Sequence, residues 1–422
     1  MISTLTVFFV AAAVMIIGFL ANILFKKTGW PEILFLIFIG IILGPVLNVF
    51  LESDLLPILP LVSTFTLLMV LFRGGLELNL SEIAAGSFRS IFQTLTYFAA
   101  GTILITLFTH FIVGWSLIDG LLLGSMISQI GEVVIIPMVK KLGLQNQSAT
   151  LLSIESVMSS IVCIVFFFAF LASKTGDGTF NAMNVLTSIV TKFAVGIIVG
   201  VIMALPWLRV LFALEKNELT YIATLGYVLA CYAISETLLG SGALSVLAFG
   251  VILGNYTQVL GLLRMRQPSA SFSKVTEYLT RFQTELSFIL RAFFFVLLGI
   301  IFEVSTSSIV AGLSLGLPIV AILLAARYMA VSASTWRSPM VSEKKIIVGL
   351  CAHGLTPALL SFIVLQYNFP NAYLFPLIVT SVIIMTNIIA SVASFMYKRT
   401  KSHDQATVSI ALENEPVSDS KF

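Results

Sequence analysis

Apolar runs long enough to cross a bilayer recur thirteen times along this 422-residue chain, and no other feature narrows its fold as far. The runs lie near 3–25, 31–50, 55–73, 88–114, 116–138, 148–172, 182–205, 218–236, 240–256, 279–302, 307–334, 345–367 and 373–397. About 20 apolar residues carry a helix across the hydrocarbon core. The lengths of the runs and their lack of polar alternation predict helices, not barrel strands. Composition agrees: 58% of the residues are hydrophobic and 10% charged, where soluble domains carry about 25% charged residues. A soluble enzyme, a nucleic-acid binder and a disordered chain are thereby excluded. A net charge of +3 is too small to imply a polyanionic partner. The expected fold is an all-α polytopic membrane protein of about thirteen spans over 1–397, followed by a short polar tail, 398–422, expected to be disordered.

The basic residues set the orientation. Numbering the connections from the N-terminus, the odd ones and the tail hold 19 of the 23 lysines and arginines, from Lys26 and Lys27 to Lys398, Arg399, Lys401 and Lys421. The even connections hold only Lys174, beside acidic residues such as Glu52, Asp54, Asp119, Asp177, Glu236 and Glu303. The positive-inside rule then predicts an external N-terminus and a cytoplasmic C-terminus in the cell membrane. The first run has no basic residue before it and Lys26–Lys27 after it, so it reads as a span and not as a cleaved signal.

Charged side chains in the membrane interior are functional candidates by default. Here they are Glu132, Glu155, Arg291 and Arg327, with Glu77 near a helix end. A structural ion pair or a snorkelling anchor is the alternative for each, and Arg73, Lys192 and Glu285 fit the anchor. The fifth run contains Ser128, Gln129, Gly131, Glu132 and Pro137, and the twelfth contains His353, Gly354, Thr356 and Pro357. Two interrupted helices in corresponding places of two halves point to an inverted-repeat transporter with a midplane site, where broken-helix carbonyls and dipoles face an ion. Two proline kinks without a ligand are the plainer alternative. In the sixth run Glu155 and Ser159, and Ser156 and Ser160, are spaced i,i+4 and form a polar stripe. Those hydroxyls could instead bond the carbonyl one turn back. Gly250 with Gly254, and Gly196 with Gly200, permit close helix contact and carry no chemistry. Cys163, Cys231 and Cys351 stand singly, and His110, His353 and His403 lie far apart, so neither a disulfide framework nor a metal cluster is expected. No Walker or dinucleotide glycine pattern and no nucleophile–base pair is visible, so neither a cofactor nor an enzymatic activity is expected.

With these residues in view, the chain resembles the monovalent cation:proton antiporters, closest to the archaeal and bacterial sodium/proton type, over about residues 10–397. The resemblance rests on GLEL at 75–78, on Pro137 through LGL to the LLSIES ending at Ser156, and on GSGAL at 240–244 with FGVILGN at 249–255. FFFVLLG at 293–299 and Ala326–Arg327 follow in the family's order. It implies thirteen helices, a dimer-forming panel beside a mobile core with two crossed, unwound helices, and alternating access in which one carboxylate binds either a cation or protons. A homodimer in the lipid bilayer, with monovalent cations and protons as the transported partners, follows from it. Sodium is the ion it implies, with potassium and lithium open.

The chain departs from the family where the chemistry should sit. The polar pair of the unwound fifth helix falls on Ile130 and Gly131, the ion-carrying aspartate of the sixth falls on Ser160 after Ser159, and the Arg-Gly of the twelfth is His353–Gly354. Glu77, Glu155, Ser156 and Arg327 are kept. Since serine cannot titrate near neutral pH, Glu132 is expected to take over as carrier, with Arg327 nearby and Glu155 as the alternative carrier. Ser128, Gln129, Ser159 and Ser160 are the expected oxygen ligands, which suits a hard cation. His353 is a possible proton site, and Glu77, Arg327, Arg291 and His353 form the expected supporting charge network. Two other readings stand beside this one: a transport-inactive membrane sensor or partner protein, and a transporter of an anion drawn by Arg327 and His353.

Overall fold

The computed structural model describes residues 4–28, 30–50, 55, 59–78, 88–175, 182–214, 219–262, 270–302, 306–367 and 369–413. Every regular element among them is helical. In chain order these are α1 (Thr4–Thr28), α2 (Glu32–Ile41, continued by a π-turn over Ile42–Val46), α3 (Leu59–Glu77), α4 (Phe88–Phe108), α5 (Leu117–Ile127), α6 (Glu132–Leu142), α7 (Asn146–Thr175) and α8 (Ala182–Ala213). Then follow α9 (Thr220–Thr237), α10 (Gly242–Gly254), α11 (Tyr256–Leu262), α12 (Ala270–Ile301), α13 (Thr306–Ser334), α14 (Lys344–Gly349), α15 (Leu355–Leu365) and α16 (Leu374–Glu413).

The helices pack as two groups. In one, α12 lies against α1, α2 and α3, and α10 lies between α3 and α8. In the other, α4 packs on α5, α7 and α13, and α13 on α16, while α7 against α8 and α15 against α3 join the groups. The glycine pairs are contact points. A Cβ on Gly254 would lie 2.3 Å from the Leu76 carbonyl oxygen, and one on Gly200 would lie 2.3 Å from that of Ser245. Apolar tails supply no hydrophobic drive between such helices, so this close backbone approach is what van der Waals packing uses.

Three features differ from the pattern of apolar runs. By length and composition eight helices among the described residues qualify as spans, or nine when the α10–α11 pair, bent by 80°, counts as one. The count of thirteen is thus not reached on that criterion, since Ala11–Phe25, Glu32–Val46 and Leu355–Leu365 are shorter apolar stretches. α12 begins at Ala270, ahead of the apolar run near 279. α16 runs to Glu413, past the end of the last apolar run, and residues 414–422 lie outside the described residues. The physical reason is common to both ends: hydropathy marks the thickness of the hydrocarbon, whereas backbone hydrogen bonding carries a helix on into water.

Candidate functional site

The site forms where two helices lose their regular geometry. Between α5 and α6 the backbone is non-helical over Ser128–Gly131, and between α14 and α15 over Leu350–Gly354. The breaks cross at glycine. A Cβ on Gly131 would sit 2.5 Å from the Gly354 nitrogen and 2.6 Å from its Cα. The Gly131 N–H donates to the Ala352 carbonyl at 2.9 Å. Gly131→Ala is expected to destabilise by the upper part of the ~1–3 kcal/mol range for overpacking, because backbone faces it and no side chain can swing away. Thermal denaturation in detergent measures this, and an alanine variant as stable as the parent would contradict the crossing.

Unpaired backbone groups at membrane depth are expensive, and the polar residues of the two breaks are spent largely on them. Ser159 Oγ accepts from the Ile130 N–H at 3.3 Å and lies 3.2 Å from the Ser156 carbonyl. His353 is fully buried. Its Nε2 donates to the Ile127 carbonyl at 2.5 Å, and Nδ1 lies 3.0 Å from Thr386 Oγ1. The His353 carbonyl accepts from Asn387 Nδ2 at 2.9 Å. The imidazole thus ties the end of α5 to α16. Ser156 Oγ donates to the Ser153 carbonyl at 2.9 Å, which is the bond back along its own helix. Ser128 Oγ is buried without a hydrogen-bond partner.

Glu155 and Arg327 form a fully buried ion pair. Arg327 Nη1 donates to Glu155 Oε1 at 2.9 Å, while its Nε and Nη2 donate to the Ile347 carbonyl at the end of α14, at 3.1 and 2.9 Å. Gln93 Nε2 donates to Glu155 Oε2 at 2.7 Å. The guanidinium also stacks 5.4 Å from the Tyr97 ring centroid. Both carboxylate oxygens and every guanidinium nitrogen are engaged, so the pair braces α7, α13 and α14. Arg327 therefore presents no charge toward Glu132 and is not the cation freed for an anion that the sequence alone allowed.

Glu132, at the first position of α6, has a different setting. Its Oε2 accepts from Ser160 Oγ at 2.7 Å, and Gln129 Oε1 lies 3.0 Å from the same hydroxyl. Three oxygens thus converge with one hydroxyl proton to share. The Gln129 amide nitrogen is buried without a partner. Glu132 lines two cavities, of about 710 and 370 Å³. The larger carries Glu32, Arg73, Glu77, Lys140, Glu285 and Arg291 on its wall. Arg291 pairs with Glu32 at 2.6 Å, and Arg73 with Glu77 at 2.8 Å. The arginines that share Glu132's cavity are therefore Arg73, on α3, and Arg291, on α12. Glu32 and Asn22, which donates to it at 2.8 Å, complete that wall. Among the described residues no group of three or more His, Cys, Asp and Glu could hold a metal ion.

Glu32, Gln93, Thr386 and Asn387 contact the candidate residues or line their cavity, and the apolar-run reading passed over them. Gln93, Thr386 and Asn387 carried a usable signal, a polar side chain inside an apolar run. Glu32 stands at the edge of one, where a carboxylate looks like a solvated end.

Comparison with known proteins bears on this site. The sodium/hydrogen exchanger transmembrane family matches residues 10–399. The low-affinity Na(+)/H(+) antiporter NhaS1 of Synechocystis is 25% identical over 235 residues, 55% of this chain and 42% of that protein. The K(+)/H(+) antiporter NhaP2 of Shewanella oneidensis is 25% identical over 59% of this chain and 44% of its own length. The matched stretch thus spans less than half of these two relatives. Na(+)/H(+) antiporter 1 of Methanocaldococcus jannaschii is 22% identical over 69% of this chain and 67% of its own. The solved structure of the sodium proton antiporter MjNhaP1 from the same organism at pH 8 superposes with a TM-score of 0.75. It covers 95% of this chain and 98% of that one at 18% identity, a likeness of fold.

Proposed function

This chain belongs to the sodium/hydrogen exchanger family, and we propose that it exchanges a monovalent cation for protons across a membrane, with Glu132 as the group for which both compete. The observation that carries this reading is the oxygen cluster on the cavity wall. Glu132 Oε2, Ser160 Oγ and Gln129 Oε1 lie within 3.0 Å of one another's shared hydroxyl with a single proton among them. A hard monovalent cation takes oxygen ligands and a negative charge, and this cluster offers both. A proton on Glu132 neutralises the same carboxylate, so cation and proton exclude each other and exchange needs no state in which both are bound.

By resemblance Ser160 stands where the family carries its aspartate. The carboxylate of Glu132 reaches that serine at 2.7 Å, so the negative charge is delivered to the same place from the facing helix. Alternating access follows if α4, α5, α6, α7 and α13–α16 move as a body against α1–α3, α8–α10 and α12. The cavity holding Arg73 and Lys140 then opens to the cytoplasm, with the N-terminus outside and the C-terminus inside. Sodium is the ion that the resemblance favours, and the names of relatives include both sodium and potassium antiporters. A homodimer belongs to the same proposal.

The test uses the full chain in proteoliposomes with an internal pH dye. An imposed sodium gradient, and separately a potassium gradient, is expected to drive a pH change. Its absence for both ions, with folded protein and a working control antiporter, would overturn the exchange reading and favour a membrane sensor.

A further inference from the structure

A third cavity, of about 110 Å³, lies in line with the Glu132 site. α3, α7, α10 and α15 wall both this cavity and the 370 Å³ cavity of Glu132. On three of these helices the two linings stand one turn apart: Leu71 and Leu67 on α3, Ile164 and Phe168 on α7, Leu247 and Ala243 on α10. At about 1.5 Å per residue, roughly 6 Å of apolar side chain separates the cavities. The Glu132 cavity reaches Glu77 and Lys140, near the C-terminal ends of α3 and α6. The third cavity reaches the other way, to the level where α9 and α15 end and α10 begins.

Its lining is polar for a place between membrane helices, with Lys192, Tyr232, Glu236, Gln366 and Tyr367 on the wall. Lys192, whose position in the sequence fits a snorkelling anchor, is half-buried there, and Glu236 is exposed at the rim. Glu236 Oε1 accepts from the Gly242 N–H at 2.7 Å, which ties the end of α9 to the start of α10. Among the described residues, Glu236 Oε2 and the Lys192 ammonium have neither a hydrogen-bond nor an ion-pair partner. A free carboxylate oxygen beside phenol and amide oxygens suits a hard cation. The space is several times the ~10–15 Å³ that one water needs, so a cation enters it with part of its water. We propose, on the basis of the exchange reading above, that this cavity is a second cation station. Glu236 holds the ion on its way between that face and Glu132, and the charge of Lys192 opposes it and so sets the affinity.

Vesicles carrying the full chain in one orientation, with sodium or potassium presented to one face at a time, test this. With the ion on the face of Glu236, its KM is expected to rise about two- to fivefold in Glu236→Gln and to fall by a similar factor in Lys192→Gln, the range for a solvated ion pair. The kcat, and the KM from the face of Lys140, should stay at parental values. Glutamine at 236 keeps an oxygen for the Gly242 N–H, so the α9–α10 tie survives. A merely structural role would not move the two KM values in opposite directions. Thr64 lines the same cavity, and the native cysteines are buried. A membrane-impermeant thiol reagent is therefore expected to block Thr64→Cys from the face of Glu236 and not from that of Lys140. Unchanged KM values in both glutamine variants, with a parent that exchanges ions, would overturn this inference and leave Glu132 as carrier. Reaction of Thr64→Cys from the face of Lys140 alone would overturn it as well, and a parent that exchanges neither ion would overturn the exchange reading along with it.

Discussion

Replacing Glu132 by glutamine is expected to reduce cation-driven proton movement to the level of vesicles without protein. Glutamine keeps the size of the side chain and an oxygen that Ser160 can still bond, so the variant should fold and incorporate as the parent does. What it lacks is a charge to balance a cation and a proton to release. An uncompensated ion held away from water costs several kcal/mol even after relaxation, so the amide removes both halves of the exchange together. Ser160→Ala should be graded. A hydrogen bond to a charged group contributes about 1.5–3 kcal/mol, so its loss should raise the cation KM by roughly tenfold or more while leaving exchange measurable. Should Glu132→Gln exchange ions at the parental rate, the carrier would have to be sought among the other carboxylates of that cavity wall, Glu32, Glu77 and Glu285.

The second large effect is on folding. Arg327→Met is expected to destabilise the protein by about 3–5 kcal/mol, the range for removing one partner of a buried ion pair. It strands the Glu155 carboxylate in an apolar interior and frees the Ile347 carbonyl at the end of α14. Glu155→Gln should cost less, because its amide oxygen can still accept from the guanidinium. A double variant, Glu155→Leu/Arg327→Met, should recover only part of the loss, since the carbonyl stays unsatisfied. Survival of the folded peak in size-exclusion chromatography after heating in detergent ranks the three. Parental survival of Arg327→Met would show that the pair is not a brace.

What the sequence made legible here was chemistry that stands out against a uniform background. Glu132 is conspicuous because a carboxylate in the middle of an apolar run has no cheap explanation. Partnerships were not legible. Glu155 and Arg327 lie 172 positions apart, and nothing in their local surroundings tells Arg327 to face Glu155 and not Glu132. His353 could be read as a proton site, though a lone histidine in a helix is more often simply hydrogen-bonded. Only the three-dimensional position of Ile127 and Thr386 shows its two nitrogens tying helices together. The fold was more readable than the site because bilayer thickness imposes one length scale on every run, whereas side-chain contacts depend on how the runs are brought together.

The crossing of the two breaks bears on how the protein is made. His353 meets Ile127 across 226 residues of chain, and the Gly131 N–H finds its acceptor only at Ala352. While the first half of the chain is already inserted and the second still being synthesised, the backbone groups around Ser128–Gly131 lack those partners. They must be met meanwhile by water or by neighbours such as Ser159, at a cost that falls only when the last quarter of the chain arrives. The oxygen cluster at Glu132 is therefore among the last parts of the molecule to take its final form. A nascent chain halted before His353 would leave a polar lesion in the bilayer, a mark by which membrane quality control could recognise it.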